Sequence, residues 1–411
     1  MKKDIIIITI LTILLLVLSF FYGYIFYRHQ QTLKNLNAEK KLIASIKRQY
    51  NTYVQTTKDT SLYEKNNLKY KKIGTIKKDN NLQLEEEKIY KDTKYFKIKD
   101  YNLYIPYKDI KKTTKYELDD RYKNYIPFNE DIITNNTVNF YKNDLLVLTI
   151  NKSLDLKIII KDDNGSYVTY LDNLYYVKNE DIKKTIEKEN SNEEIANSVV
   201  AILYHFIYLK NEVCGEIICH PESQIEEEFN YLKENNYFTM NTKETRLFIE
   251  NKINVPKKSL LVTIDDGARA EKFIPFLEKY KINATLFLVT SWYDPKTFTS
   301  SYMEIASHSN NLHRTKMCPG DQGSPMKCFA LHTLVDDLKL SREKLNNTES
   351  FSYPFFEFND RAIEAVKESG FKIAFIGGGK RINKGINLFK VPRKTINKTT
   401  DLDEFKNMIN N

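Results

Sequence analysis

Glycine and proline are scarce in this chain, which has only 12 glycines and 10 prolines in 411 residues. Such a composition excludes a collagen-like chain and a long low-complexity segment. The sequence also lacks zinc-finger cysteine spacing, arginine-rich clusters and interleaved aromatic and basic residues, so we expect no nucleic-acid partner. A hydrophobic content of 41% is sufficient for buried cores. The length predicts two to four structural units.

Acidic residues are fewer than basic ones, with 54 Asp and Glu against 63 Lys and Arg, which gives a net charge of +9. Lys, Asn, Ile and Tyr are abundant together, and this combination indicates the nucleotide bias of an AT-rich genome. A basic face for anionic lipid or for an acidic polymer is the alternative interpretation. The net charge alone therefore defines no binding surface.

Charge is absent from the 22-residue stretch Ile5–Phe26, which contains almost only apolar residues. As a helix this stretch is long enough to cross the hydrocarbon core of a bilayer. A cleavable signal peptide, the alternative, has a shorter apolar region and an Ala-x-Ala-like site, and neither is found here. Lys2 and Lys3 favour a cytoplasmic amino terminus. We expect residues 1–30 to form a cytoplasmic tip and a single-pass membrane anchor, which places the remainder outside the cell.

Cysteine is rare and comes in two local pairs, Cys214 with Cys219 and Cys318 with Cys328. In an oxidising exterior such pairs are typical of two short-range disulfides. A zinc site built from all four thiols is the alternative. Its spacings would differ from those of zinc ribbons.

Two kinds of periodicity follow the anchor. Residues 31–70 are polar with apolar residues at near-heptad spacing, which predicts a helical stalk or a short coiled coil; these residues are Leu36, Ile43, Ile46, Tyr50 and Tyr53. From about residue 71 to 185 short alternating segments rich in Tyr, Ile and Val predict strands. A shift of 72 residues aligns the segment that starts at Leu82 with the one that starts at Leu154, without a gap. We therefore predict two copies of one small all-β unit, over 71–112 and 125–185.

These two segments loosely resemble bacterial SH3-like wall domains in their order of hairpin, "YI" or "YV", and terminal Asp-Ile. The resemblance implies cell-wall binding as one role and a spacer as another. Their tyrosines are candidates for a glycan groove, although tyrosine in a small barrel is commonly part of the core.

Residues 197–411 alternate predicted strands with predicted helices, after a charged hinge at 183–196. This alternation predicts a parallel α/β sheet, open or closed as a barrel. In such folds the chemistry is found at the carboxyl ends of the strands. The stretch "LLVTIDDGAR" places Asp265 and Asp266 at one such end.

Adjacent acids followed by a glycine also form turns and helix caps, so the doublet is weak evidence by itself. His308 and His313 strengthen it, because two of only six histidines lie five residues apart after a predicted strand. At that spacing they do not share a helical face, which favours a loop that brings both to one point. One carboxylate and two imidazoles form an open three-ligand metal site, with the second acid left free as a general base. A structural histidine pair is the alternative.

At these residues a family resemblance becomes specific. "TIDDG" at 263–267 resembles the TFDDG motif of carbohydrate esterase family 4, the NodB-homology polysaccharide deacetylases. "ASHSNNLH", "FSYPFFEFND" and "VVAILYHFI" are similar to motifs of the branch that deacetylates poly-N-acetylglucosamine. The resemblance covers about 197–410 in order, and it implies a distorted (β/α) barrel.

The resemblance also implies roles. Asp265 would be the base, and Asp266, His308 and His313 the ligands of a divalent metal, zinc first, with cobalt, nickel or manganese as alternatives. His205 would be the general acid, since the late Leu-x-x-His motif of the wider family is absent. The Phe355 amide would donate to the oxyanion, with Tyr353 and Pro354 at the substrate.

Two departures from the family pattern are visible. Ser352 stands where the wider family has the arginine that orients the base, and Phe356 stands where a glycine is usual. Trp292 has no role in the pattern.

The resemblance implies N-deacetylation of N-acetylglucosamine units in a surface polysaccharide, either peptidoglycan or poly-N-acetylglucosamine. Two alternatives stay open at this point. One is a non-catalytic wall-binding protein with a degenerate deacetylase domain, and the other is an O-deacetylase of another acetylated glycan.

Overall fold

The computed structural model describes residues 2–47, 53–67, 69–85, 94–114, 120–189 and 194–410. The chain divides into two compact units. One unit comprises Met1–Leu118, Ile133–Leu156 and Thr169–Lys184, and the other comprises Asp119–Ile132, Lys157–Val168 and Thr185–Asn411. The α-helices are α1 (Lys2–Lys47), α2 (Glu222–Glu234), α3 (Thr242–Ile249), α4 (Ile274–Tyr280), α5 (Pro325–Cys328), α6 (Leu331–Lys344), α7 (Asp360–Glu368) and α8 (Leu402–Asn410).

Helix α1 runs without interruption for 46 residues. Within the part of the chain that the structure describes, no helix combines the length and the apolar character needed to cross a membrane. The anchor predicted over 1–30 stays a prediction.

The helical stalk predicted over 31–70 is wrong from Tyr53 onward, because strands begin there. Val54 and Thr56 are buried while Tyr53 and Gln55 are half-buried, a period of two that is typical of a strand. Tyr53 fits the helical spacing in the sequence, but in the structure it is the first residue of the alternating strand pattern. Tyr50, also in that pattern, lies outside the described residues.

The first set of strands follows directly. It consists of β1 (Tyr53–Thr56), β2 (Thr60–Asn66), β3 (Lys69–Ile76), β4 (Asn81–Gln83), β5 (Tyr95–Lys97), β6 (Tyr104–Pro106) and β7 (Ile110–Lys112). Strand β1 pairs with both β4 and β7, and β2 pairs with β3 and β6. A one-turn 3₁₀ helix, Tyr107–Asp109, joins β6 to β7.

The second set repeats this arrangement. It consists of β8 (Glu130–Thr134), β9 (Val138–Lys142), β10 (Leu145–Ile150), β11 (Asp155–Asp162), β12 (Gly165–Tyr170), β13 (Asn173–Lys178) and β14 (Ile182–Glu187). Strand β8 lies between β11 and β14 as β1 lies between β4 and β7, and β9 lies between β10 and β13 as β2 lies between β3 and β6. The 3₁₀ helix Asn179–Asp181 recurs 72 residues after the first one. The described residues therefore hold two copies of one strand topology.

The boundaries of these copies differ from the predicted ones. The first copy begins at Tyr53 rather than at residue 71, and β14 extends to Glu187, into the predicted hinge. Residues 119–132 and 157–168 belong to the same compact unit as the segment from 185 to 411, so this unit is larger than the predicted 197–411. The periodicity of the sequence gives no reason to assign these two segments to the unit that contains residues 185–411.

The remaining strands build the α/β part of the chain. They are β15 (Ser198–Tyr204), β16 (Phe206–Tyr208), β17 (Cys219–Pro221), β18 (Phe238–Met240), β19 (Ser259–Asp266), β20 (Ala284–Leu288), β21 (Met303–Ser307), β22 (Ser350–Ser352), β23 (Ile373–Ile376), β24 (Ile382–Asn383), β25 (Val391–Pro392) and β26 (Lys394–Thr395). Strands β15, β19, β20, β21, β22 and β23 pair in that order, all in parallel.

The parallel sheet closes on itself through one short segment. Strand β25 pairs in parallel with β23, and β26 pairs in parallel with β15. Only Arg393 separates β25 from β26. The segment 391–395 therefore bridges the two outer strands and closes the barrel that the family resemblance implied.

The strands of the barrel are buried on both faces, and β19 has no exposed residue. Alternate strand residues such as Val199, Leu261, Phe287 and Phe375 pack together in one apolar cluster. Their neighbours along the strands pack with helices α2, α4 and α8 in a second cluster. Because side chains two apart share a face, Asp265 is on the same face of β19 as Leu261. Asp265 therefore points into the barrel.

Candidate active site

The candidate site lies at the carboxyl ends of the barrel strands, where the sequence placed it. Asp266 ends β19, His308 follows β21, and His205 follows β15. The register aligns Tyr204 with Ile264, so His205 comes level with Asp265. Asp266 has a φ of +75°, a left-handed conformation that interrupts the alternation of β19. The two adjacent acids can thus serve the same site with different orientations.

Asp266, His308 and His313 converge as predicted. Their ligand atoms all lie within 4.8 Å of one another. Asp266 Oδ1 is 3.3 Å from His308 Nε2 and 3.0 Å from His313 Nε2. It is buried and accepts no hydrogen bond of good geometry from the described residues. Two imidazole nitrogens and an unsatisfied carboxylate oxygen are the donor set that suits Zn²⁺ and related divalent ions.

The orientation of His308 also fits a metal ligand. Its Nδ1 lies 2.8 Å from the carbonyl oxygen of Ser352. A carbonyl only accepts, so Nδ1 carries a proton, and Nε2 is the ring nitrogen that faces Asp266. These observations show that the residues present fit a divalent cation.

The loop that carries His313 is held by an acid on α6. Asp337 accepts hydrogen bonds from the backbone N–H groups of Asn310 and Asn311, both at 2.8 Å. The Ser309 hydroxyl accepts from the N–H of Leu312, whose side chain is buried. The loop between the two histidines is therefore held by hydrogen bonds from its backbone N–H groups to the side chains of Asp337 and Ser309. Sequence reasoning did not identify Asp337.

Asp265 is held by an arginine that the sequence analysis missed. Arg393 donates to both carboxylate oxygens, from Nη1 to Oδ1 at 2.7 Å and from Nη2 to Oδ2 at 2.8 Å. The Ser352 hydroxyl donates to Oδ2 at 3.2 Å and accepts from Arg393 Nη2 at 2.7 Å. Arg393 is fully buried. It thus supplies the positive charge that is lacking at position 352.

Charge keeps Asp265 ionised despite its burial. Burial by itself raises the pKa of this carboxyl, but Arg393, followed by His308, outweighs it and holds the pKa below its usual value. A buried carboxylate that stays charged can accept a proton during a reaction.

His205 lies among the charges of the site. Burial lowers the pKa of its imidazole, and the nearby carboxylates of Asp265 and Asp266 only partly oppose this effect. Its Nδ1 is buried and has no hydrogen-bond partner among the described residues. A ring with a lowered pKa releases a proton readily once it is protonated, which suits the predicted role.

A buried polar network lies behind His205. Tyr204 donates its hydroxyl proton to Glu228 Oε2 at 2.7 Å, and His220 Nε2 is 3.0 Å from Glu228 Oε1. His220 Nδ1 is 3.1 Å from the carbonyl oxygen of Asn397. The side chains of His220 and Glu228 are fully buried. The network fixes the end of β15, from which His205 projects.

The segment after β22 lies in part in the core. Tyr353 and Pro354 are buried, and the Tyr353 ring packs against Phe351 and Phe358. The Tyr353 N–H donates to the carbonyl of Phe375. Tyr353 belongs to an apolar cluster of the core and Pro354 is buried, so the substrate contact through these two side chains stays a prediction. Aromatic side chains at strand ends are as suitable for a core as for a groove, and the sequence does not distinguish the two.

Phe355, in contrast, is 40% exposed and lies beside the metal-site residues. Its ring centroid is 4.1 Å from that of His313. Phe356 turns away from this position, since its ring packs against Gly377 and lies 5.7 Å from the Arg393 guanidinium. Phe356 thus covers the arginine that orients Asp265.

Both predicted disulfides are present, Cys214–Cys219 and Cys318–Cys328. No free cysteine occurs in the parts of the chain described above. The alternative four-cysteine zinc site is therefore wrong. The Cys318–Cys328 bridge begins five residues after His313.

Taken together, the fold and the site define a barrel hydrolase with a candidate divalent-metal centre. Residues 252–374 match the family model described as polysaccharide deacetylase. The poly-beta-1,6-N-acetyl-D-glucosamine N-deacetylase of Staphylococcus aureus is 25% identical over 248 residues, which cover 52% of this chain and 82% of that protein.

Two solved structures are also similar over part of the chain. A de-N-acetylase from Aggregatibacter actinomycetemcomitans has 25% identity and a TM-score of 0.45, and covers 52% of this chain and 100% of its own. IcaB from Ammonifex degensii has 17% identity and a TM-score of 0.44, with 52% and 97% covered. The matching family model identifies a polysaccharide deacetylase domain at residues 252–374, a class of hydrolase that acts on carbon–nitrogen bonds.

Proposed function

We propose that this protein is a metal-dependent N-deacetylase that removes acetyl groups from N-acetylglucosamine units of a cell-wall or surface polysaccharide. One observation carries the proposal: an ionised acid, Asp265, is fixed by Arg393 directly beside the three-ligand group of Asp266, His308 and His313. The similarity to an N-deacetylase of poly-N-acetylglucosamine supports the choice of substrate class.

Asp266, His308 and His313 would hold the metal, zinc first, with cobalt, nickel or manganese as alternatives. A divalent cation there would supply Lewis-acid polarisation of water and of the substrate carbonyl. Asp265 accepts the proton of the attacking water while Arg393 keeps its carboxylate oriented. The Phe355 amide donates a hydrogen bond to the carbonyl oxygen as negative charge develops on it. His205 gives a proton to the nitrogen as the C–N bond breaks, so acetate and a glucosamine unit are released.

The location of the enzyme is part of the proposal. We infer that residues 1–30 anchor the chain in the cell membrane by a single span and that the catalytic barrel lies outside the cell. The apolar stretch Ile5–Phe26 and the two disulfides support this inference. We also propose that the duplicated β units are SH3-like. They would bind the cell wall or act as spacers.

Acetate release tests the activity. The purified protein is stripped with a chelator and assayed on peptidoglycan and on poly-N-acetylglucosamine in parallel. We expect release to stop on stripping and to return with zinc or cobalt. Unchanged release after complete removal of metal would contradict the metal-dependent mechanism.

Asp265→Asn separates the enzyme from the non-catalytic wall-binding alternative. The amide cannot accept the proton from water, so acetate release should fall to background while polymer binding persists. An O-acetylated glycan assayed beside the two N-acetylated ones distinguishes ester from amide hydrolysis.

A further inference from the structure

Trp292 is the single tryptophan of the chain, and 47% of its surface is exposed. It follows β20, at the same end of the barrel as the metal-site residues. Backbone hydrogen bonds from Thr290 to Ser309 and from Ser291 to Asn310, both at 3.1 Å, tie its segment to the loop of His308 and His313. The indole is therefore carried by backbone that is fixed to the site.

Trp292 and Phe355 both contact one imidazole, that of His313. The Trp292 ring meets the His313 ring at 5.0 Å between centroids, with an interplanar angle of 72°. The Phe355 ring meets the same imidazole at 4.1 Å. The two aromatic side chains come from two different loops of the barrel, after β20 and after β22. Their common neighbour is a ligand of the candidate metal centre, so any group bound on them lies next to the reacting position.

Shielding of His313 does not account for this arrangement. Rings that only protect an imidazole would be buried against it, whereas 47% of Trp292 and 40% of Phe355 face solvent. A large aromatic side chain contributes most to packing or binding when its surface is covered. Two aromatic rings that stay exposed beside a functional centre therefore indicate a surface that binds a ligand. The C–H faces of a pyranose ring are apolar and flat enough to cover an indole.

We propose that Trp292 and Phe355 form an aromatic subsite that binds one hexosamine ring of the polysaccharide, adjacent to the residue that loses its acetyl group. The subsite rests on the proposed function for its ligand class. Trp292 selects and positions the glycan, and it takes no part in proton transfer. The subsite explains how a polymer is held at a site whose catalytic groups contact only one acetamide.

Kinetics on N-acetylglucosamine tetramers, β-1,4 and β-1,6 linked, test the subsite. We expect Trp292→Ala to raise KM roughly tenfold, because an aromatic contact and its buried area are lost, while kcat changes much less. Trp292→Phe should restore most of the affinity. Lys296→Ala, an exposed change in the same loop, is the matched control and should leave both constants unaltered.

Fluorescence gives a second measurement that does not need turnover, since all tryptophan emission comes from Trp292. In the metal-loaded Asp265→Asn variant, the tetramer should shift this emission with saturation, and Phe355→Ala should weaken the response. An unshifted emission at saturating tetramer would overturn the subsite, and so would a Trp292→Ala variant with unchanged KM. A loss of bound metal in Trp292→Ala would also overturn it, in favour of shielding. Saturable shifts without acetate release from any glycan would instead contradict the proposed function and leave the subsite standing.

Discussion

The barrel and the duplicated β region differ in how much depends on individual side chains. In the barrel, single side chains at strand ends carry the chemistry: Arg393 holds Asp265, whereas Asp266 faces His308 and His313. The duplicated region conserves a topology while its surface changes. Asp109 and Asp181 are buried at matching positions, but the residues before them, Lys108 and Glu180, have opposite charges. The barrel site thus depends on individual side chains, whereas the duplicated region depends on its strand pairing.

The largest expected effect is at the metal ligands. Asp266→Asn removes the carboxylate oxygen that faces both imidazoles, so metal affinity should fall by more than the roughly 10–100-fold that loss of an outer-shell partner causes. Acetate release should fall to background with it. Metal titration followed through Trp292 emission measures the affinity, because the indole contacts His313. His332→Ala, at an exposed histidine of α6, is the control, and a wild-type affinity in Asp266→Asn would remove Asp266 from the ligand set.

The second effect is at the arginine that orients the base. Arg393→Lys keeps a positive charge but loses the two-point contact with Asp265, so kcat should fall by roughly 10²-fold. Metal affinity should change little, since Arg393 contacts none of the three ligands directly. Steady-state kinetics and metal titration measure the two quantities.

Arg393→Met tests the same pair through stability. It leaves the Asp265 carboxylate buried without its partner, and the free energy of unfolding should fall by about 3–5 kcal/mol. Denaturant unfolding measures this change. If Arg393→Lys retained full kcat, the base would not depend on the orientation that Arg393 provides.

The sequence predicted the strand–helix alternation, the candidate metal ligands and both disulfides from their patterns along the chain. The closed barrel was expected only from the family resemblance. Arg393 belongs to no such pattern along the chain. It lies 128 positions from Asp265, between two strands of two residues each, and only the closure of the barrel brings it inside.

Boundaries were predicted less well for a related reason. Tyr53 fits both a helical and an alternating pattern, and pairing of β1 with β4 and β7 decides between them. The burial of Tyr353 likewise follows from its contacts with Phe351 and Phe358, which no spacing reveals. Long-range contacts, rather than local preference, determine these features.

A smaller effect is expected at Asp337, which holds the loop of His308 and His313 and is not one of the three candidate ligands. Asp337→Asn retains one acceptor but replaces the other by an amide donor, so one of the two backbone hydrogen bonds to Asn310 and Asn311 is lost. Metal affinity should fall roughly 10–100-fold, with kcat partly restored at high metal concentration. Asp336→Asn, at the exposed neighbouring position, is the matched control. Equal affinities in the two variants would mean that the loop is held by other contacts.

The smallest effect on activity is expected in the duplicated region. Leu62 is fully buried in the first copy, so Leu62→Ala should lower the free energy of unfolding by about 2–5 kcal/mol through the lost contacts and the cavity. The matched control is Leu145→Ala in the second copy, where the leucine is 69% exposed and the change should alter stability by less than about 0.5 kcal/mol. Thermal unfolding measures both variants. Under folding conditions, acetate release from a soluble tetramer should stay at the wild-type rate in each. A fall in kcat for Leu62→Ala at temperatures where the protein is folded would show that the duplicated region contributes to the chemistry, and the contrast between the two regions would have to be given up.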